Sequence, residues 1–191
     1  LHLSGLRNPA SLLGVGQLFE SRTTDELSER CLKFLESEPG FSPAYESCVA
    51  SLGSAGRIAE VKRVLALSSG REKELSYGAR TTIADGQFRL GNLKEASAYY
   101  RTLTSVDPAK WNQIIYAEGL QGNLDLAGKA FAEYVRAVPR EEPNAFDSIG
   151  EVYFFVGKYA EAERQFLAGV QKFPAFQDGI GKLKAAASRL A

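Results

Sequence analysis

The residues that could carry chemistry are few. His2 is the only histidine and stands in the lead-in to the chain, so a Ser-His-Asp or Cys-His arrangement has little to work with. Zinc sites want several Cys or His ligands at close spacing, and none occur. Gly14-Val15-Gly16 lacks the spacing of a phosphate-binding loop, and the run Gly179 to Lys182 lacks the preceding Gly-x4. Both read as small residues at helix crossings or helix starts. Paired carboxylates such as Glu141-Glu142 beside Pro143 fall between helical patterns, where nothing would shift one pKa against the other. Glu95, Lys94, Glu161, Glu163 and Arg164 read as solvated charges on outward helix faces. Cys31 and Cys48 fall at apolar positions of helical patterns. They are read as two buried thiols behaving as small hydrophobes, with pairing as the alternative. The expectation is a chain without cofactor or metal that is not an enzyme.

With so little catalytic material, weight shifts to the scaffold. The chain has 191 residues, enough to bury a sizeable core in one or two domains. Lys+Arg and Asp+Glu are both 23, so the formal net charge is zero. Nucleic-acid binding through phosphates needs a basic excess or a basic face, and no dense Lys/Arg run is present. The cluster Arg71-Glu72-Lys73-Glu74 alternates in sign and reads as a solvated loop or helix start. No apolar run approaches the roughly 18 residues that span a bilayer, and the opening residues do not read as a signal peptide. The start at Leu1 and the absence of Met suggest a processed form or an excised piece.

The dominant signal is a period near 34. Units can be opened at Asn8, Ser42, Tyr77, Pro108 and Pro143, which are 34, 35, 31 and 35 residues apart. The last unit carries Phe146, Ile149, Gly150, Tyr153, Gly157, Tyr159, Ala162, Phe166 and Pro174. The unit before it places Trp111, Ile114, Ile115, Glu118, Gly122, Leu124, Ala127, Phe131 and Pro139 at the same offsets. Gly56 and Gly91 hold the place of Gly157 in the earlier units. Glu118 stands where its unit should carry an aromatic.

This pattern resembles that of the tetratricopeptide repeat family: W-x2-L-G-x2-Y, then A-x3-F, then P. The resemblance implies an all-α chain, an α-solenoid of antiparallel helix pairs wound as a right-handed superhelix, with a C-terminal capping helix. As a single domain over 1–191, the units would run over 8–41, 42–76, 77–107, 108–142 and 143–174, with the cap over 175–191. Gly150 and Ala162 should sit where two helix axes come closest, the roughly 1 kcal/mol helix cost of Gly being offset by packing. Gly157 should end a helix in the left-handed conformation. Pro39, Pro108, Pro139 and Pro174 should stop second helices or open first ones, with Asp107-Pro108 as cap and first helical residue.

In the family this chain resembles, the first helix of each unit lines a concave face. Carried over by position, that face holds Glu46, Ser47, Thr81, Thr82, Asp85, Phe88, Arg89, Asn112, Gln113, Tyr116, Asn144, Asp147, Ser148, Glu151, Phe154 and Phe155. The Lys, Arg and Asn that relatives use to grip a peptide carboxylate are absent, because Glu46, Gly78 and Thr82 stand there. Glu46, Asp85, Asp147 and Glu151 against Arg89 make the face acidic and predict a neutral or basic partner segment. Asn112, Gln113 and Asn144 would bond its backbone. Tyr116, Phe88 and Phe154 would contact its side chains. Core packing is the alternative for Tyr116 and Phe154, and it is the expectation for Phe155, against the terminal helix.

The function expected is a protein-protein interaction module or scaffold. The second reading is an accessory or regulatory repeat region of a larger bacterial enzyme or regulator. RNA binding by a related helical repeat would need a basic groove, and the acidic face speaks against it.

Overall fold

The computed structural model describes residues 23–138, 143–173 and 180–191. The described residues are helices and turns, with no strand among them: α1 (Thr24–Ser37), α2 (Ser42–Ser54), α3 (Ile58–Ala66), α4 (Tyr77–Arg89), α5 (Leu93–Arg101), α6 (Lys110–Gly119), α7 (Leu124–Ala137), α8 (Asn144–Phe155), α9 (Tyr159–Lys172) and α10 (Ile180–Leu190). They fall into two compact units, one ending at Asn92 and the other beginning at Leu93.

What divides the helices is a backbone motif repeated four times. Gly56, Gly91, Gly122 and Gly157 have φ of 70°, 78°, 83° and 77°. The residue after each glycine donates its N–H five residues back: Arg57 to Leu52, Asn92 to Gln87, Asn123 to Glu118 and Lys158 to Tyr153, at 2.8–3.0 Å. Each glycine N–H reaches the carbonyl three residues earlier, on Gly53, Phe88, Gly119 or Phe154. This is the Schellman termination, which satisfies the last carbonyls of a helix and requires a left-handed residue. Any side chain at these four positions would be strained.

The N-terminal unit packs α1 on α2, α2 on α3 and α4, and α3 on α4. Its buried side chains include Leu35, Tyr45, Leu52, Val64, Leu65 and Ile83. The Tyr45 hydroxyl donates to the Pro39 carbonyl at 2.9 Å, so the proline after α1 is held by the core of the next helix. Cys31 and Cys48, each fully buried, form a disulfide between α1 and α2 across a Cα–Cα distance of 5.8 Å. This corrects the expectation of two free thiols. Burial among apolar neighbours is common to both states, so helical periodicity alone could not separate them.

In the C-terminal unit α5 packs on α6, α6 on α7 and α8, α8 on α9, and α9 on α10. Tyr100, Leu103, Ile114, Ile115, Ile149 and Phe166 form its buried interior. The close approach expected at Gly150 is real, and the side chain nearest to it is Phe166. An added Cβ would lie 2.5 Å from Cε1 of Phe166, one turn beyond Ala162. Gly119 is equally tight, and a Cβ there would overlap the Val152 side chain. Asp107 does cap, accepting from the Ala109 N–H at 3.1 Å. The helix proper starts at Lys110, however, two residues beyond the expected first residue Pro108. Pro139, Pro174, His2, Gly14-Val15-Gly16 and Glu141-Glu142 lie outside the described residues.

Candidate functional site

In the N-terminal unit, Glu46, Asp85 and Arg89 come together. With Thr82 they supply polar lining to a cleft of about 580 Å³ between α2, α3 and α4. Val49, Ile58, Val61 and Leu90 supply its apolar lining. The placement follows from the helices: Thr82, Asp85 and Arg89 are three and four residues apart and share one face of α4. Glu46 accepts from the Ser76 hydroxyl at 3.2 Å, and Ser76 in turn caps α4 by accepting from the Ala79 N–H. A Cβ at Gly78 would meet the Glu46 carboxylate at 2.6 Å, so glycine leaves that carboxylate its place beside the first turn of α4. Thr81 donates to the Tyr77 carbonyl of its own helix. Ser47 and Phe88 are half-buried and do not line the cleft.

The C-terminal unit arranges its acidic residues differently. Lys184 on α10 donates to both Asp147 oxygens at 2.7 Å and to Glu151 Oε1 at 2.6 Å. Its ammonium also lies over the Phe166 ring, 5.8 Å from the centroid. The Tyr116 hydroxyl donates to the other Glu151 oxygen. Burial and this hydrogen bond raise the Tyr116 phenol above its ordinary value. Burial pushes the Glu151 carboxyl up, but Lys184 and Tyr116 outweigh it and hold it below the usual carboxylate value. Burial likewise pulls the Lys184 ammonium down, and Asp147 and Glu151 more than restore it.

The remaining predicted residues divide between these surroundings and the core. Asn144 is exposed, and its amide donates to the Tyr134 hydroxyl at 3.2 Å. The side-chain oxygens of Asn112 and Gln113 are buried without a hydrogen-bond partner, and the buried Ser148 hydroxyl faces that of Tyr116. Phe154 packs partly against Ala162, Phe166 and Ala185 and meets the Tyr159 ring edge-on. Phe155 is 62% exposed, which corrects the expectation that it packs on the terminal helix. Glu163 is also reassigned: Arg189 of α10 binds it, so it tethers the terminal helix. Glu161 and Arg164 remain a loose surface pair at 3.8 Å.

Two features escape sequence reasoning. Lys184 lies 37 and 33 residues after Asp147 and Glu151, close to one repeat period, which was its only signal. Glu118, out of place as a carboxylate at an aromatic position, is 6% exposed. It accepts from Ser97 at 2.6 Å, Arg101 at 2.9 Å and Asn123 at 3.1 Å. Burial pushes its carboxyl up, and these donors reverse the shift to below the ordinary value. The aromatic is thus replaced by a fully bonded charge.

Among the described residues no group of His, Cys, Asp or Glu is placed to hold a metal ion, and no helix is long and apolar enough to cross a membrane. No family model matches the chain, and no curated protein matches it. Solved structures do. A tetratricopeptide repeat protein from Parabacteroides merdae superposes with a TM-score of 0.60 at 16% identity, over 98% of this chain and 72% of its own. A thermophilic protein of that type from Thermus thermophilus gives 0.53 at 16% identity, over 98% of both chains. The protein MamA gives 0.54 at 16% identity, over 89% of this chain and 96% of its own. At such identities the likeness speaks for fold, and it agrees with the fourfold helix termination: the chain has the all-α fold of the tetratricopeptide repeat proteins.

Proposed function

We propose that the chain is a non-catalytic protein-interaction module whose N-terminal unit receives an extended, neutral or basic segment of a partner protein. One observation carries this reading: the open cleft between α2, α3 and α4, whose lining combines Glu46 and Asp85, against the single lining cation Arg89, with apolar side chains. Such a surface suits a segment that presents a cationic side chain to the carboxylates and an apolar one to Ile58 and Leu90. The Arg89 guanidinium supplies donors to the segment's carbonyls. Charge at an exposed cleft chiefly sets the encounter rate and the choice of partner, so binding should weaken with added salt.

Fluorescence anisotropy with two labelled octapeptides tests it, one rich in lysine and leucine, the other with glutamate replacing lysine. The lysine peptide should bind, and the double substitution Glu46→Gln with Asp85→Asn should weaken it about tenfold, as expected for loss of charge-assisted contacts. Equal or tighter binding of the glutamate peptide, or no binding of either, would overturn the reading.

A further inference from the structure

The C-terminal unit contains a finished receptor for an ammonium group. Asp147 and Glu151 stand one helical turn apart on α8 and present three oxygens to one nitrogen at 2.6–2.7 Å. The Phe166 ring provides a face on which a cation is attracted by the ring quadrupole. Tyr116, from α6, fixes the orientation of the Glu151 carboxylate. A compact ammonium with three donors fits this set.

The group filling the receptor is the chain's own Lys184. Two of the helices that build the receptor, α6 and α8, carry three poorly served side-chain oxygens. The Ser148 hydroxyl, beside Asp147, is 1% exposed, faces Tyr116 and has no well-formed hydrogen bond. Asn112 Oδ1, one turn before Tyr116 on α6, and Gln113 Oε1 are buried acceptors with no donor. Buried acceptors without partners are uncommon, and each is expected to have a reason. An extended segment has what they lack, since its backbone N–H groups are donors.

We propose that this is a lysine-recognition site held shut by Lys184, and that its ligand is a lysine-bearing segment of a partner protein that displaces the Lys184 side chain. An internal lysine at high effective concentration keeps weak, non-cognate amines out. A cognate segment adds its own backbone donors to what its ammonium gains from the carboxylates. The site lies wholly within the C-terminal unit, so it stands or falls separately from the cleft lined by Asp85.

The test uses the full chain and a nine-residue glycine-serine peptide with one central lysine, followed by NMR titration of backbone amides. The Lys184→Gln variant should bind this peptide about tenfold more tightly than the unaltered chain, as loss of a charged hydrogen-bonded competitor implies. Signals of Asp147, Ser148 and Glu151 should move. The same peptide acetylated on its lysine should not bind, and adding Asp147→Asn should abolish the gain. Hydrogen exchange over 180–190 reports whether α10 stays docked. Docked or frayed, Lys184→Gln leaves the carboxylates open, so absence of a gain overturns the proposal in either case. Equal binding of the acetylated peptide would also overturn it.

Discussion

The two units solve the same packing problem with different devices. The N-terminal unit is stapled covalently, Cys31 to Cys48, and leaves Glu46 and Asp85 on an open cleft. The C-terminal unit has no cysteine. It is held by buried charge at Glu118 and by Lys184 and Arg189 of its terminal helix, and its acidic pair is filled from within. The lesson is that a shared backbone motif leaves the side chains free to diverge. Gly56, Gly91, Gly122 and Gly157 end helices identically in both units, while what crosses between helices is a disulfide with the exposed Arg57–Asp25 pair in one and half-buried ion pairs with no disulfide in the other.

Reduction should separate the units most. Closing a loop of 17 residues is worth about 3 kcal/mol through the unfolded state. Dithiothreitol, or Cys31→Ser with Cys48→Ser, should therefore raise amide exchange in α1 and α2 and leave 93–191 unchanged. Equal loss of protection in both units would remove the distinction.

Glycine substitutions come next. Gly119→Ala and Gly150→Ala force a Cβ onto Val152 and the Phe166 ring, neither of which can swing aside, and overpacking of this kind costs about 1–3 kcal/mol. In the N-terminal unit Gly86→Ala meets the two Leu65 methyls at 3.1 and 3.3 Å, with Val49 in ordinary contact at 3.7 Å. The gain of roughly 1 kcal/mol in helix propensity should nearly cancel those contacts. Thermal unfolding of the three variants gives the ranking.

How much of this was legible depended on whether the backbone or the side chains set the feature. The left-handed glycines were readable because no other residue suits that conformation, so Gly157 announces its role without a partner. Gly150 was half readable. That something comes close follows from a glycine inside a helix, but whether it is Ala162 or Phe166 depends on side-chain direction. The disulfide was not readable, because Cys31 and Cys48 sit at apolar positions whether paired or free. Lys184 was hidden for a related reason: a single lysine on a terminal helix looks solvated until its reach back to α8 is known. Placing Asp85 and Arg89 on one face needed only helical spacing; Glu46, from α2, was added by the family resemblance, and the Ile58 and Val61 side chains of α3 needed the tertiary packing.

A smaller effect separates the units chemically. Glu118→Gln keeps an acceptor for Ser97 but removes the charge that Arg101 and Asn123 address, and should cost about 1–2 kcal/mol in the C-terminal unit alone. Chemical denaturation of the variant measures it.

Acid should act in the same direction. Glu118 and Glu151 have folded pKa values below the ordinary 4.5, so the unfolded chain binds protons more readily than the folded one. Their stabilisation is complete above that value and is lost as pH falls through the lower, folded pKa values. The networks at Glu118 and Glu151 should thus loosen on acidification, as exchange at successive pH values would show.

The central claim is that a partner segment engages the cleft lined by Glu46 and Asp85 in one unit, while the acidic pair of the other holds Lys184. Amide chemical-shift mapping of the full chain with the lysine-leucine octapeptide addresses it directly. The account predicts shifts at Glu46, Thr82, Asp85 and Arg89, with Asp147 and Glu151 still until Lys184 is replaced. Shifts centred on Asp147 and Glu151 in the unaltered chain, with the cleft silent, would contradict it.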